Sequence, residues 1–243
     1  MSTAKVFKTL DEQINILREK GLIINDEAYT KEVLLRENYF FIMGYRHVFL
    51  KKDASRKFID GTTFDEVYSL FVFDRMFRNI IFKNILIVEN NYKSIFSYIL
   101  SKNYGFKEKN YLNPSNFDND KEKTRQINDL LRKVKRQFRV NGKQHGATSH
   151  YMDNYGYIPL WIGVKVISFG LISEMFSILK EEDKFSIASV YKIEPEEMED
   201  YLPILANYRN LCAHEDVTFD HFTQRMIPDT KYHSILNIQK IDG

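Results

Sequence analysis

The 243-residue sequence predicts an all-α protein built on one long spine helix with additional helices. Three observations carry that prediction. Apolar residues recur at intervals of three and four rather than two, the spacing that lines one face of a helix. Chain-breaking residues are sparse, with Gly 10 and Pro 5. Thr-x-x-Glu pairs at Thr9/Glu12 and Thr63/Glu66 mark two helix starts. In such a pair the hydroxyl and the carboxylate each satisfy a backbone amide that the first turn leaves without a partner.

In chain order, helix one is expected over roughly 10–20, with Gly21 as the left-handed residue that stops it. A second helix is expected from near Asp26 through KEVLLREN into NYFFIMGYRHVFL, weakened at Gly44. After the charged loop KKDASRKFIDG, Thr63 opens a stretch without proline as far as Gly105. Some forty residues at about 1.5 Å each reach about 60 Å, wider than a compact domain, so a kink or a break is expected. The Asn-rich KEKNYLNPSNFDND reads as a loop leading to a basic amphipathic helix, KEKTRQINDLLRKVKRQF, and RVNGKQHGATSHYMDNYGY as a Gly-containing connection. Pro159 sits where a first-turn proline is tolerated and opens PLWIGVKVISFGLISEMFSILK, expected as one buried apolar helix. Pro195 opens EPEEMEDYLPILANYRNLCAH, whose first-turn acids favour the positive end of the helix dipole. Beyond Asp216 only a short terminal element is expected.

An apolar share of 44% with 14% aromatic residues is enough for one substantial core or two small ones. The net charge of +2 sets no global electrostatic preference, but charge is segregated along the chain. From Lys121 to Lys143 there are nine Lys/Arg against two acids, and from Glu181 to Asp200 eight acids against two lysines. A basic face and an acidic face follow. The single cysteine excludes an internal disulfide and fits a reducing compartment. MSTAKVFKTLDEQ lacks the apolar core of a secretion signal, and the longest apolar run, LWIGVKVISFGLI, is too short to span a bilayer, so a cytoplasmic protein without a membrane partner is expected. No Cys/His cluster has zinc-ligand spacing, so no zinc site is expected.

The candidate chemistry lies in NYRNLCAHEDV, residues 207–217, where Arg209, Asn210 and His214 share the end of a helix packed by Leu202, Ile204, Leu205 and Leu211. Allowing four to six residues between arginine and histidine, such a pair arises about once by chance in a chain of this composition. Arg139 and His145 are that chance match, separated by Gly142 in a polar loop. At about 100° per residue Asn210 and His214 fall on one helical face, while Arg209 must curl its longer side chain round to meet them. An ordinary alternative is that His214 interacts with the last helical carbonyls and Arg209 pairs with Glu199, Asp200 or Glu215. Cys212 reads as a small buried hydrophobe.

Four segments, LLRENYFFIMGYRHVFL (34–50), FDRMFRNIIFKNILIVEN (73–90), IPLWIGVKVISFGLISEMFSIL (158–179) and RNLCAH (209–214), together resemble the Abi-like family of bacterial abortive-infection proteins of the AbiD/AbiF type. The resemblance runs from about residue 5 to residue 216. It implies a HEPN-like helical bundle: a single domain over 1–243, with an N-terminal helical portion at 1–60 and the bundle that carries R-x4-H at 61–243. The HEPN motif, R-x4-6-H with a polar residue after the arginine, is associated with metal-independent RNA cleavage, and Arg209, Asn210 and His214 match it residue by residue. This chain departs from the family pattern after the histidine, where Glu215 and Asp216 adjoin the motif in place of a basic and aromatic stretch.

RNA carries its own nucleophile, the 2′-hydroxyl, so an imidazole as acid/base and a guanidinium on the phosphate oxygens suffice without a cofactor. The resemblance therefore implies a toxin-like endoribonuclease of anti-phage defence, with RNA as partner and a homodimer that brings two motifs together. The alternatives are a non-cleaving RNA-binding or regulatory protein, associated with a noncoding RNA, and a scaffold acting through its acidic segment. Arg78, Glu89 and Asn90 on the spine helix are candidate supporting residues: either a charged solvent-facing stripe, or a set from which Glu89 approaches Arg209 or His214 and orients it. Candidate RNA-binding cations are Arg125, Arg132, Lys133, Lys135, Arg136 and Arg139, with Arg46, Lys51 and Lys52 from the loop after the second helix. Tyr39, Phe40, Phe41, Tyr45 and Phe49 could stack on bases, though this spacing more often serves a core.

Overall fold

The computed structural model describes residues 6–239 and is all-α: among these residues there are twelve α-helices and no strand, only three isolated bridges. The chain divides into two compact units. The first holds the residues up to Phe82 together with Leu211–His221, and the second holds Lys83–Asn210 and the chain from Phe222 onward. The division falls inside the spine helix, not in the loop before it.

In the first unit, α1 (Leu10–Glu19) begins at Thr9, whose hydroxyl accepts from the Glu12 amide at 3.3 Å while the Glu12 carboxylate accepts from the Thr9 amide at 2.8 Å. α2 (Glu27–Glu37) starts at Asp26, whose carboxylate accepts from the Tyr29 amide. The continuous helix expected through Gly44 breaks earlier. Asn38 takes a φ of +67°, a region that short amide side chains tolerate, and its side chain caps α3 (Tyr39–Met43) by accepting from the Phe40 amide at 2.8 Å. A 3-10 segment, Gly44–Phe49, follows. Leu17, Ile42, Tyr45, Phe58, Val67 and Phe71 are buried in this unit's core. Of the aromatic candidates, Tyr45 is thus core, whereas Phe40 is largely exposed.

The spine helix α4 (Phe64–Tyr104) runs unbroken for 41 residues, against the expected kink. That expectation assumed a single compact domain to span. The first half of α4 belongs to one unit and the second half to the other, so neither unit must be as wide as the helix is long. No Pro or Gly interrupts residues 64–104, and Gly105, at φ +87°, closes the helix.

The second unit continues with α5 (Glu108–Tyr111), α6 (Thr124–Asn141), α7 (Gly146–Tyr155), α8 (Leu160–Gly163), α9 (Phe169–Ser177), α10 (Glu181–Ala188), α11 (Pro195–Ala213) and α12 (Lys231–Ile235). The last turn of α11 belongs to the first unit. α6 buries Ile127, Leu130, Leu131, Val134 and Phe138 on one stripe and turns its cations outward, as its pattern predicts. The single apolar helix expected after Pro159 is instead two. α8 ends at Gly163, and after a turn over 164–167 Ser168 caps α9, its hydroxyl accepting from the Leu171 amide at 3.3 Å. Tyr92, Phe96, Phe169 and Phe176 meet in this unit's core, with ring centroids 5.8–6.5 Å from Tyr92.

Candidate functional site

α11 ends at Ala213, so His214 is the first residue beyond the helix. The termination is a left-handed cap of six residues. The Asp216 amide donates to the Leu211 carbonyl at 3.1 Å and the Glu215 amide to the Cys212 carbonyl at 3.4 Å, with Glu215 at φ +58°. Glycine usually fills that position, which is why the sequence does not announce the stop. His214 and Asn210 are both exposed. Cys212 is buried, and burial raises its thiol pKa.

The chain just after the motif is tied down by a buried cluster in the first unit. Arg78 Nη1 donates to Asp74 Oδ2 at 2.7 Å, to the Tyr45 hydroxyl oxygen at 2.8 Å and to the Asp216 carbonyl at 3.3 Å. Asp74 Oδ2 also accepts from the Tyr45 hydroxyl at 2.6 Å and from the Thr218 amide at 2.9 Å. Burial, followed by the bond to Asp74, pushes the Tyr45 phenol far above its usual range. Arg78 therefore holds the backbone that follows His214, a role that neither of its expected readings contained. It is not part of a solvent-facing stripe, since it and Asp74 are almost completely buried.

Glu89 lies on the second half of α4, where Arg209 Nε donates to its Oε2 at 3.2 Å and Lys93 Nζ to its Oε1 at 2.6 Å. The ion pair with Glu89 is one that the local alternatives Glu199, Asp200 and Glu215 did not include. The carboxylate is buried, whereas Arg209 keeps a third of its side chain exposed. Both residues line a solvent-open cavity of about 830 Å³ in the second unit. Asn90, Lys93, Asn141, Trp161 and Lys165 join them there. The local sign for Lys93 was its position four residues after Glu89, the spacing of a helical ion pair. Trp161 carries no comparable signal beyond being the only tryptophan.

Arg125, Arg132, Lys133, Lys135, Arg136 and Arg139 are all exposed on α6. Arg132 pairs with Asp129 at 2.8 Å and Lys133 with Glu174 at 3.3 Å. Lys133 and Arg136 line a second groove that shares Asn141 and Ser168 with the Arg209 cavity, so the basic helix borders it. The other cationic set lies in the first unit: Arg46 is exposed and donates to the Met43 carbonyl, Lys51 pairs with Asp60 at 2.7 Å, and Lys52 is exposed. The acidic segment is partly internal. Asp183 accepts from Asn103 Nδ2 at 2.7 Å and the Tyr104 hydroxyl at 2.5 Å, and Lys184 is buried between Glu181 and Glu199 at 2.7 and 2.8 Å.

The chain is all-α, and Arg209 lines an open cavity bordered by the basic helix α6. The family model for Abi-like protein matches residues 32–220, and the chain belongs to that family, which is associated with abortive infection and phage defence. No curated protein and no solved structure matches the chain. Among the described residues no helix is long and apolar enough to cross a membrane.

Proposed function

We propose that this protein is a metal-independent endoribonuclease of abortive infection, a HEPN-type enzyme that acts on RNA through Arg209 and His214. The observation that supports this most is the setting of Arg209. Its guanidinium is held by a buried carboxylate inside an open cavity bordered by the cations of α6. In the reaction the 2′-oxygen forms a bond to phosphorus as the bond from phosphorus to the 5′-oxygen breaks. The 2′-hydroxyl proton leaves to a base and another proton reaches the departing 5′-oxygen, giving a 2′,3′-cyclic phosphate and a 5′-hydroxyl. Arg209 bears on the nonbridging oxygens, Asn210 contacts the substrate, and His214 moves a proton. Glu89 positions Arg209 and Lys93 holds Glu89, so neither need touch the RNA. One imidazole serves one side of an in-line displacement, so a second copy of the chain supplies the other, and the active species is a homodimer in the cytoplasm.

The exposed position of His214 at the end of its helix favours a second reading: an RNA-binding regulatory protein that does not cut, restrained by or acting with a noncoding RNA. One experiment separates the two. Purified protein is incubated with end-labelled RNA in EDTA, alongside Arg209→Ala, His214→Ala and Glu89→Gln. The nuclease reading requires cleavage to persist in EDTA and to fall at least about 100-fold in the first two variants, the scale of losing one acid/base or one charge-stabilising donor. Glu89→Gln is expected to lower kcat with KM little changed. RNA binding without cleavage by the wild type would establish the regulatory reading instead.

A further inference from the structure

The second unit carries a chain of surface aromatics that neither the core nor the proposed chemistry requires. From α7, the His150 and Tyr151 rings lie 6.1 and 5.3 Å from Tyr155. Tyr155 lies 6.4 Å from Tyr157, Tyr157 5.7 Å from Phe106, and Phe106 6.4 Å from Trp161. The last of these rings lines the Arg209 cavity. Tyr155, Phe106 and Trp161 are 57%, 44% and 45% exposed, in contrast to the buried rings around Tyr92. Successive planes in the series are inclined by 36–67°, so no ring is covered face to face by its neighbour.

Exposing this much aromatic surface is unfavourable unless something covers it. The charges beside it identify the chemistry. Lys107 Nζ sits over the Tyr157 ring at 5.5 Å, and Lys165 stands exposed at the cavity end. Along the flank formed by α6 and α7, a groove of about 660 Å³ is lined by Lys109, Lys135, Arg139 and Lys143, against Glu108 and Asp153. Glu108 is occupied in accepting from the Ile158 amide at 2.9 Å. Rings that present faces or edges, with a cation over one of them and a basic groove on neighbouring residues of α7, suit unpaired bases and the phosphates that join them. A duplex hides its base faces in its own stack and cannot use such a surface.

We propose that the series from His150 to Trp161 is a track for single-stranded RNA that leads the strand into the Arg209 cavity; this rests on the nuclease reading in naming RNA as the substrate. Trp161 stacks on a base at the cavity mouth. The test uses the full chain as His214→Ala, so that binding is read apart from cleavage. Quenching of the single tryptophan reports titration with a 12-nucleotide single-stranded RNA, with a duplex of the same length as competitor. Quenching is expected, the duplex is expected to compete at least ten-fold more weakly, and Tyr155→Ala and Phe106→Ala, both at exposed rings, are each expected to weaken binding about ten-fold. Equal competition by duplex, or wild-type affinity in both ring variants, overturns the track. Failure of the RNA to quench Trp161 overturns it too, as does a ring series found to bind protein instead of RNA. If ring-dependent binding is found but the wild type does not cut, the track stands and the nuclease reading falls. If the wild type cuts and the rings do not matter, the reverse holds.

Discussion

At Glu215 a side chain occupies a backbone conformation that glycine adopts without strain. A φ of +58° costs an ordinary L-residue about 1–2 kcal/mol, whereas glycine pays instead about 0.5–1 kcal/mol in lost freedom on folding. The counterweight is the Glu215–Arg75 pair, at 3.6 Å and more than half exposed on the acid side, which contributes little. Glu215→Gly is therefore expected to stabilise the protein by about 0.5–1 kcal/mol, read as a raised midpoint in thermal unfolding followed by circular dichroism. A lowered midpoint would show that the carboxylate matters more here than the backbone strain. The same residues show what the sequence discloses of the site. Arg209, Asn210 and His214 could be singled out as candidates because they are close together in the chain. The hold of Arg78 on the chain after His214 is not legible. It depends on Tyr45 and Thr218, which are 33 residues before and 140 residues after Arg78, and no periodicity joins them. Glu89 was legible as a candidate from its helical stripe with Arg78, but its bond to Arg209 spans 120 residues and no local spacing fixes it.

At the level of elements, capping signals located starts better than apolar runs located ends. Thr9, Asp26 and Thr63 each begin a helix where the sequence places one, because the cap is made by side chains within three residues of the amides they satisfy. Apolar continuity misled after Pro159, where a buried segment needs no amphipathic period and so gives no sign of a corner. The corner is decided by packing. A Cβ placed on Gly163 would stand 2.5 Å from Cζ and 2.8 Å from Cε1 of Phe138, a buried ring of α6. α8 can approach α6 this closely only with no side chain at that position. Gly163→Ala is expected to destabilise by about 1–3 kcal/mol despite alanine's better helix propensity, since the ring must shift within a packed core. Chemical denaturation measures it, and Gly170→Ala, where an added Cβ meets nothing within 4 Å, serves as the control. An equal effect at both positions would remove packing as the cause.

For the molecule as a whole, charge distribution carries more information than net charge. A value of +2 over 243 residues predicts no affinity for a polyanion, yet the exposed face of α6 concentrates cations beside the Arg209 cavity. Part of the acidic segment is engaged locally, for Glu181 and Glu199 pair with Lys184 within the second unit. RNA binding is accordingly expected to weaken steeply with added salt. Lys135, Arg136 and Arg139 share a groove on α6 and have no ion pair among the described residues. If each releases counterions from a single strand, replacing all three with glutamine lowers the slope of log K against log salt by about 0.7 per contact, or about 2 in all. Because all three are exposed, the unfolding midpoint should hardly move, which distinguishes lost attraction from lost structure. Fluorescence anisotropy with a labelled single strand at several salt concentrations gives the slope directly. An unchanged slope would place the phosphate contacts on Arg46, Lys51 and Lys52 of the first unit, where the corresponding substitutions would then have to reduce it.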